Sequence, residues 1–466
     1  MAIADFDGQG LPDVFVTSPG GANGLFLNRG GLRFENAAAA WGAALPGMGT
    51  LGASAADVDG DGDPDLLVAG RGFLDLLRND GDRFTPVGAA AGFVAPRASR
   101  NTNVALADYD RDGWLDAYVT SWFVVRDVAR TPGRGDPLPA RAPHLLLRGR
   151  ADGTFADMSE LLPLDARASA SFGATWSDFD QDGDADLYVS NDFGHETVPS
   201  QLYRNDGSAS DGRWRFTPIG DECGCRLRIS GMSGALADFD RDGFQDLYQT
   251  NILFHLDGGQ DGEHLLRNLG GLVFEDATAR FVARAASFAN RRAISWGAEA
   301  IDVDNDGWVD LFVPFGHFPP SDTPDIERQP NALLLNQEGR RFLLAGASGV
   351  EDDGWGRGAG VVDLDLDGCL DLVVANMGGT ARAFRNRCEW GSHWVQLMLV
   401  GTRSNHDAVG AVARVWAGGA VWRDEVVAGS TSVHSSRWKA LPFGLGRAAA
   451  IERLEVEWPS GAVRAV

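Results

Sequence analysis

The chain has 466 residues, of which 44% are hydrophobic and 23% charged, with a formal net charge of −24 and a pI near 4.6. That composition is globular rather than disordered, and the length exceeds one ordinary core unless the fold is a repeat array or a large closed β structure. The acidity argues against nucleic acid and anionic membrane surfaces as partners, and no run of about 18 apolar residues offers a spanning helix.

Met1-Ala2-Ile3-Ala4 runs straight into Asp5, with no basic segment and apolar stretch before it. No export leader is therefore expected, and the chain is expected to begin inside a repeat. The repeat is an Asp-rich loop that occurs seven times. The fullest copy is Asp57-Val58-Asp59-Gly60-Asp61-Gly62-Asp63-Pro64-Asp65, followed by the apolar run Leu66-Leu67-Val68. Starts are spaced about 50–70 residues apart, near the longer periods of propeller-type repeats.

Each copy sits in the same grammar. A run of small residues comes first, such as Gly173-Ala174-Thr175-Trp176, then the loop, then a short apolar strand such as Leu187-Tyr188-Val189. A third strand usually ends in Asn: Asn28, Asn79, Asn205, Asn268, Asn336 and Asn386. A turn then leads to a fourth strand around Phe34, Phe84, Phe155, Phe216, Phe274 or Phe342. Short apolar runs punctuated by Gly, Asn and Asp read as strands. Four antiparallel strands per repeat predict an all-β, seven-bladed β-propeller over residues 1–389. The seventh repeat lacks an evident fourth strand, so the tail or a segment from the other end is expected to close the ring. Trp176, Trp296 and Trp355 lie shortly before Asp loops and read as core or funnel-lining residues.

After Cys388 the pattern changes. His393-Trp394-Val395-Gln396-Leu397, Val409–Val415, Phe443-Gly444-Leu445-Gly446 and Leu454-Glu455-Val456-Glu457-Trp458 predict a small all-β module over 390–466. Trp394 and Trp458 are expected to anchor its core. Of the four cysteines, Cys369 and Cys388 lie within one repeat and could be bridged. Cys223-Gly224-Cys225 could be a bridge, half of a soft-metal site or two thiols, with thiols preferred.

The Asp loops carry the chemistry. Alternate carboxylates repel one another unless a cation sits among them, and Ca²⁺ takes about six to eight oxygens. The competing reading is an Asp/Gly-rich solvated turn; repetition in phase favours the ion. The expected side-chain ligands are Asp5, Asp7 and Asp13; Asp57, Asp59, Asp61 and Asp65; Asp108, Asp110, Asp112 and Asp116; Asp178, Asp180, Asp182 and Asp186; Asp238, Asp240, Asp242 and Asp246; Asp302, Asp304, Asp306 and Asp310; and Asp363, Asp365, Asp367 and Asp371. Asp63 would offer only its carbonyl. Gln9 stands where the other loops carry a third Asp, so the first site should be weaker. Seven divalent ions would add about +14 and leave a net charge near −10. Several structural Ca²⁺ are expected, with Mg²⁺ in some sites.

The loops with their flanking strands resemble FG-GAP/VCBS repeats, as in integrin α-subunit propellers. His393-Trp394, Gly401-Thr402-Arg403-Ser404-Asn405, Val409-Gly410-Ala411, Phe443-Gly444-Leu445-Gly446 and Trp458-Pro459-Ser460-Gly461 are similar, in order, to the ASPIC/UnbV pattern. Together they resemble the CRTAC family, which implies a calcium-stabilised propeller, often extracellular or periplasmic. A genuine leaderless start would instead imply a cytoplasmic protein.

In a blade, the connection between the second and third strands lies opposite the Asp loop. Four consecutive connections are long, about residues 120–143, 190–201, 250–263 and 314–331, and long loops on a rigid scaffold often bind. His144, His195, His255, His264 and His317 fall in or beside them, with Trp122, Phe123, Asp192, Phe193, Glu196, Phe254, Asp257, Phe315 and Phe318, and with Arg126, Arg130, Arg134 and Arg141. His406 and His434 lie in the tail with His393. Hydrogen-bonded surface histidines are the plain reading, and Asp192 resembles a scaffold residue of CRTAC relatives. Two functions follow. One is a calcium-binding scaffold whose opposite face binds an unknown protein or small molecule. The other is an enzyme at the funnel, with His195, His255, His264, His317, Asp192 and Glu196 as catalytic candidates; the resemblance to UnbV-type proteins of natural-product pathways implies cyclisation or rearrangement of a small hydrophobic molecule as its reaction. No nucleophile elbow, P-loop or dinucleotide fingerprint names a reaction.

Overall fold

The computed structural model describes residues 1–96, 99–123, 141–210, 212–252, 262–281, 294–317, 329–352, 354–388, 391–429 and 435–465. Each repeat forms its own antiparallel sheet with strands in chain order. Ala2–Ala4, Asp13–Val16, Gly24–Asn28 and Phe34–Asn36 make the first. The next five run from Thr50–Ala56 to Phe84–Pro86, Asn101–Ala107 to Phe155–Asp157, Ser171–Ser177 to Trp214–Pro218, Gly231–Ala237 to Phe274–Asp276, and Glu299–Ile301 to Phe342–Leu344. The seventh has Gly356–Val362, Asp371–Asn376 and Arg382–Phe384. The fourth strands fall on the expected phenylalanines.

Register explains where the Asp loops go. Ala4 pairs with Asp13, Ala56 with Asp65 and Ala107 with Asp116, so each loop is the hairpin connection between a sheet's first two strands. The first strands are packed side by side around an axis, each against the next, and that of the seventh sheet meets that of the first. Crowding there demands small residues. A Cβ on Gly52 would lie 2.4 Å from Thr102 O, and one on Gly360 would lie 2.5 Å from Ile3 Cδ1. The repeats thus form an all-β propeller and supply seven of the nine sheets among the described residues.

The third-strand asparagines join the sheets. Asn79 Nδ2 donates to Phe6 O at 2.9 Å, Asn205 to Tyr109 O at 2.9 Å, Asn268 to Phe179 O at 2.8 Å, Asn336 to Phe239 O at 2.9 Å and Asn386 to Val303 O at 2.6 Å. Each acceptor is the second residue of the preceding sheet's Asp loop. Asn28 Nδ2 reaches Leu364 O at 2.8 Å and closes the ring between the seventh and first sheets. In the third sheet Gly149 takes the Asn position, because a Cβ there would lie 2.1 Å from Leu115 O.

In the tail, His393–Leu397 pairs with Leu441–Gly446, while Ala420–Glu425, Val412–Ala417, Ile451–Glu457 and Val463–Ala465 form a four-stranded sheet. The tail also enters the axis. Ala428–Gly429 pairs antiparallel with Asn101–Ala107, and Ser436–Arg437 pairs parallel with Gly356–Val362. Among the described residues the seventh sheet has no outer fourth strand, and the tail strand Ser436–Arg437 joins its inner edge.

Two expectations are corrected. Cys223 is bonded to Cys225 and Cys369 to Cys388, with no free thiol. Gly224 at φ 73° turns the chain after the short helix Gly220–Cys223, bringing the first pair together. Trp394 does not anchor the tail core: it is 42% exposed and lies over Gly368 of the seventh loop. Trp176 and Trp296 are buried as expected, and Trp355 is half-buried.

Candidate metal centres on the Asp loops

Each loop is wound around its first and ninth residues. The first Asp accepts main-chain N–H groups from within the loop, as Asp108 does from Asp112 at 3.0 Å and Gly113 at 3.0 Å. Asp238 repeats this with Asp242 at 3.0 Å and Gly243 at 2.9 Å. The ninth Asp clamps two strands. Asp246 Oδ2 accepts from Phe239 N–H at 3.0 Å and Oδ1 from Asn268 N–H at 2.8 Å, and Asp65 does so with Val58 at 3.2 Å and Asn79 at 2.8 Å. Except in the second loop, where Gly149 replaces the next sheet's Asn, the residue clamped by Oδ2 is the one whose carbonyl receives that Asn. Loop, clamp and strap therefore form one joint.

The carboxylates converge. Asp5, Asp7 and Asp13, Asp57, Asp59 and Asp61, Asp108, Asp110 and Asp116, Asp178, Asp180 and Asp182, and Asp238, Asp240 and Asp246 each place oxygens within 4.8 Å of one another, and two further groups do the same. The Asp at the third position of the loop gives the clearest fit to a cation. Oδ1 of Asp7, Asp110, Asp240 and Asp365 is buried without a hydrogen-bond partner, whereas buried polar atoms are nearly always satisfied. The other oxygen of each of these residues pairs with Arg29, Arg148, Arg267 or Arg385, which lie in the third strand or directly after it. In the second and fourth sheets that arginine instead turns to Asp80 or Asp206, which follows the Asn.

Burial is the main electrostatic influence. It pushes Asp108, Asp178 and Asp238 up to about 7 and Asp302 to about 8, with neighbouring carboxylates adding to it. Asp116, Asp186, Asp246 and Asp310 are raised well above the usual range for the same reasons. Such groups are costly to ionise alone, and a divalent ion among them removes the cost. The donor set is hard oxygen, suited to Ca²⁺.

The catalytic candidates fall into separate pairs. Asp192 is buried, its Oδ2 accepts from Trp122 Nε1 at 2.9 Å, and burial raises it to about 6. His195 Nε2 lies 3.3 Å from Glu196 Oε1, next to it in sequence. His264 Nδ1 lies 3.0 Å from Asp276 Oδ2, a contact that holds Asp276 down to about 2. His317 offers its main-chain carbonyl to Arg357 Nη2 at 2.9 Å. His144 is enclosed between Tyr118 OH at 2.7 Å and Ser169 O at 3.0 Å, and burial lowers it to about 4. His255, with Phe254, Asp257, Phe318, Arg126, Arg130, Arg134 and His434, lies outside the described residues. No helix among the described residues is long and apolar enough to cross a membrane.

Three tail residues at the loops escaped the sequence reading: His406, Asp407 and Glu425. His406 Nδ1 lies 3.0 Å from Asp57 Oδ2, and Asp407 Oδ2 accepts from Asp57 N–H at 2.8 Å. For His406 and Asp407 the available signal was their place directly after the Gly401–Asn405 stretch of the tail; Glu425, in the strand Ala420–Glu425, had none.

Residues 5–68, 57–119 and 178–248 match the FG-GAP-like repeat, and residues 401–466 match the ASPIC and UnbV family. Cartilage acidic protein 1 of Xenopus tropicalis is 28% identical over 295 residues, covering 60% of this chain and 40% of that protein. The Mus musculus protein of the same name is 26% identical over 285 residues, covering 59% and 40%. The chain thus spans about 40% of the length of these relatives. Among solved structures, an Agrocybe aegerita lectin that recognises non-reducing terminal N-acetylglucosamine aligns with TM-score 0.47 and 18% identity, covering 82% of this chain and 94% of that one. Trypanosoma rangeli sialidase aligns with TM-score 0.42 and 11% identity, covering 82% and 59%.

Proposed function

We propose, for a chain that belongs to the CRTAC/ASPIC-UnbV family with FG-GAP repeats, that it is a calcium-stabilised propeller scaffold whose face opposite the Asp loops receives a protein or small-molecule ligand. The observation that carries the calcium part is the Asp at the third loop position: four loops each bury one of its carboxylate oxygens with no partner, at the point where neighbouring carboxylates converge. A bound ion would take that oxygen together with those of the first, fifth and ninth positions. Ca²⁺ suits this many oxygens better than Mg²⁺, which demands a stricter octahedron and keeps its waters. The ion supplies charge neutralisation and a fixed loop shape, and the Asn straps carry that shape to the neighbouring sheet.

The ligand part is supported by the two faces being unlike. The tail contacts the second, sixth and seventh Asp loops, and the described part of the opposite mouth of the axis carries aromatic residues. There Trp122, Phe172 and Phe193 form an aromatic floor, with Arg100 held 5.0 Å over the Trp122 ring. Aromatic faces and arginine are common at binding surfaces. In this reading the propeller comprises 1–389 and the ASPIC/UnbV part 390–466. The two Cys pairs suit an oxidising compartment.

Native mass spectrometry of the full chain, titrated with Ca²⁺ and then with Mg²⁺, tests the reading. Stepwise addition of several Ca²⁺, with Mg²⁺ bound more weakly, is the expected result. A single bare mass at millimolar Ca²⁺ would refute the metal assignment.

A further inference from the structure

Tail contacts fall on particular Asp loops, and in two of them a tail carboxylate caps the loop's first residue. At the second loop, Asp57 N–H donates to Asp407 Oδ2 at 2.8 Å, and Lys439 pairs with the other Asp407 oxygen. At the fourth loop, Ser177 Oγ donates to Glu425 Oε2 at 2.7 Å, and the main-chain N–H of Asp178 donates to the same carboxylate. Glu425 and its neighbour Arg423 are both buried, 3.7 Å apart. The capped residues, Asp57 and Asp178, belong to the carboxylate groups that could hold a cation.

The sixth loop is gripped differently. Trp422 Nε1 donates to Gly307 O at 3.1 Å, and Gly446 N–H donates to Asn305 O at 2.9 Å. The second loop has a further peculiarity. The sheet that follows it carries Gly149 in place of the strap asparagine, so no such side chain reaches Val58. The tail braces the loop whose strap is missing.

We propose that Asp407 and Glu425 are positioning residues for the second and fourth cation loops, so that ion binding and tail docking form one linked equilibrium. The inference rests on the calcium reading. With the ion in place, the first Asp is fixed from both sides: its carboxylate by the cation and its N–H by the tail. Without the ion, crowded carboxylates repel and the loop relaxes. The N–H then turns from its cap and the tail loosens, including the axial strands Ala428–Gly429 and Ser436–Arg437. Linkage is reciprocal, so the docked tail tightens the ions by the factor through which the ions tighten the tail. The first loop, which has no tail contact among the described interactions, is the internal reference.

Hydrogen exchange on the full chain, in Ca²⁺ and in chelator, tests this, with bound ions counted on the same samples by native mass spectrometry. Chelation should speed exchange about tenfold at residues 405–409 and 422–429. Asp407→Ala with Glu425→Ala should weaken two ions by about the same factor and leave the first-loop ion unchanged. Asp407→Asn with Glu425→Gln keeps the acceptor oxygens and should retain most of the affinity. Unchanged tail protection while ions leave, or wild-type affinity in the alanine variant, would overturn the linkage alone. No ion binding at all would overturn the calcium reading and the linkage with it. Should the alanine variant fail to fold, the wild-type exchange comparison decides by itself.

Discussion

Asn336 uses one side-chain amide to hold two sheets. Its Nδ2 donates to Phe239 O of the preceding loop and to Val309 O of its own, each at 2.9 Å. Asn336→Ala removes the amide from the buried Phe239 carbonyl and from the half-buried Val309 carbonyl, and should cost about 1–3 kcal/mol in a denaturant melt. Gly444 is a second sensitive point, since a Cβ there would lie 2.0 Å from Asp302 Oδ2. Gly444→Ala should displace that carboxylate and remove one ion from the stoichiometry. A third is Glu263, which burial raises from 4.5 to about 7. Its folded value lies above its unfolded one, so its contribution to stability is complete below about 4.5 and is lost as pH rises through about 7. Melts of Glu263→Gln from pH 5 to 8, at saturating Ca²⁺, should show a flatter profile than the parent chain. At this scale the sequence was partly readable. The asparagines were visible as a recurrence, but their role was not, because each acceptor is a main-chain carbonyl in another repeat.

Loops and strands were the most legible elements. Seven copies in phase override the ambiguity of a single Asp/Gly turn, and the small-residue run beside each loop follows from the crowding that Gly52 and Gly360 experience. The loops also make a prediction of their own. Gln9→Asp restores the missing carboxylate of the first loop and should strengthen the weakest site, since affinity follows ligand charge; isothermal titration of the variant measures it. The connections opposite the loops were less legible. Histidine frequency pointed to a shared pocket, yet His144 is a neutral core residue and His264 is absorbed by Asp276. Local sequence cannot separate a satisfied histidine from a catalytic one, because the partner that satisfies it is chosen by the fold.

At the scale of the whole molecule, the ring is held by joints in which an Asp loop, its ninth-position clamp and the neighbour's Asn act together. The first and seventh sheets are joined through Asn28 and Leu364, 336 residues apart, and the tail reaches back to Asp57 across 350. Contacts that distant leave no local signature, so the propeller could be expected from the repeats while the seating of the tail on the loop face could not. On the calcium reading the same arrangement would make ion loss a global event, because a relaxed loop would loosen its own hairpin and the strap from the next sheet. Thermal unfolding of the full chain in Ca²⁺ and after exhaustive chelation tests this most directly. The account predicts a marked fall in melting temperature on chelation, reversed by restoring Ca²⁺. An identical melting temperature in both states, with metal analysis showing the ions removed, would contradict it.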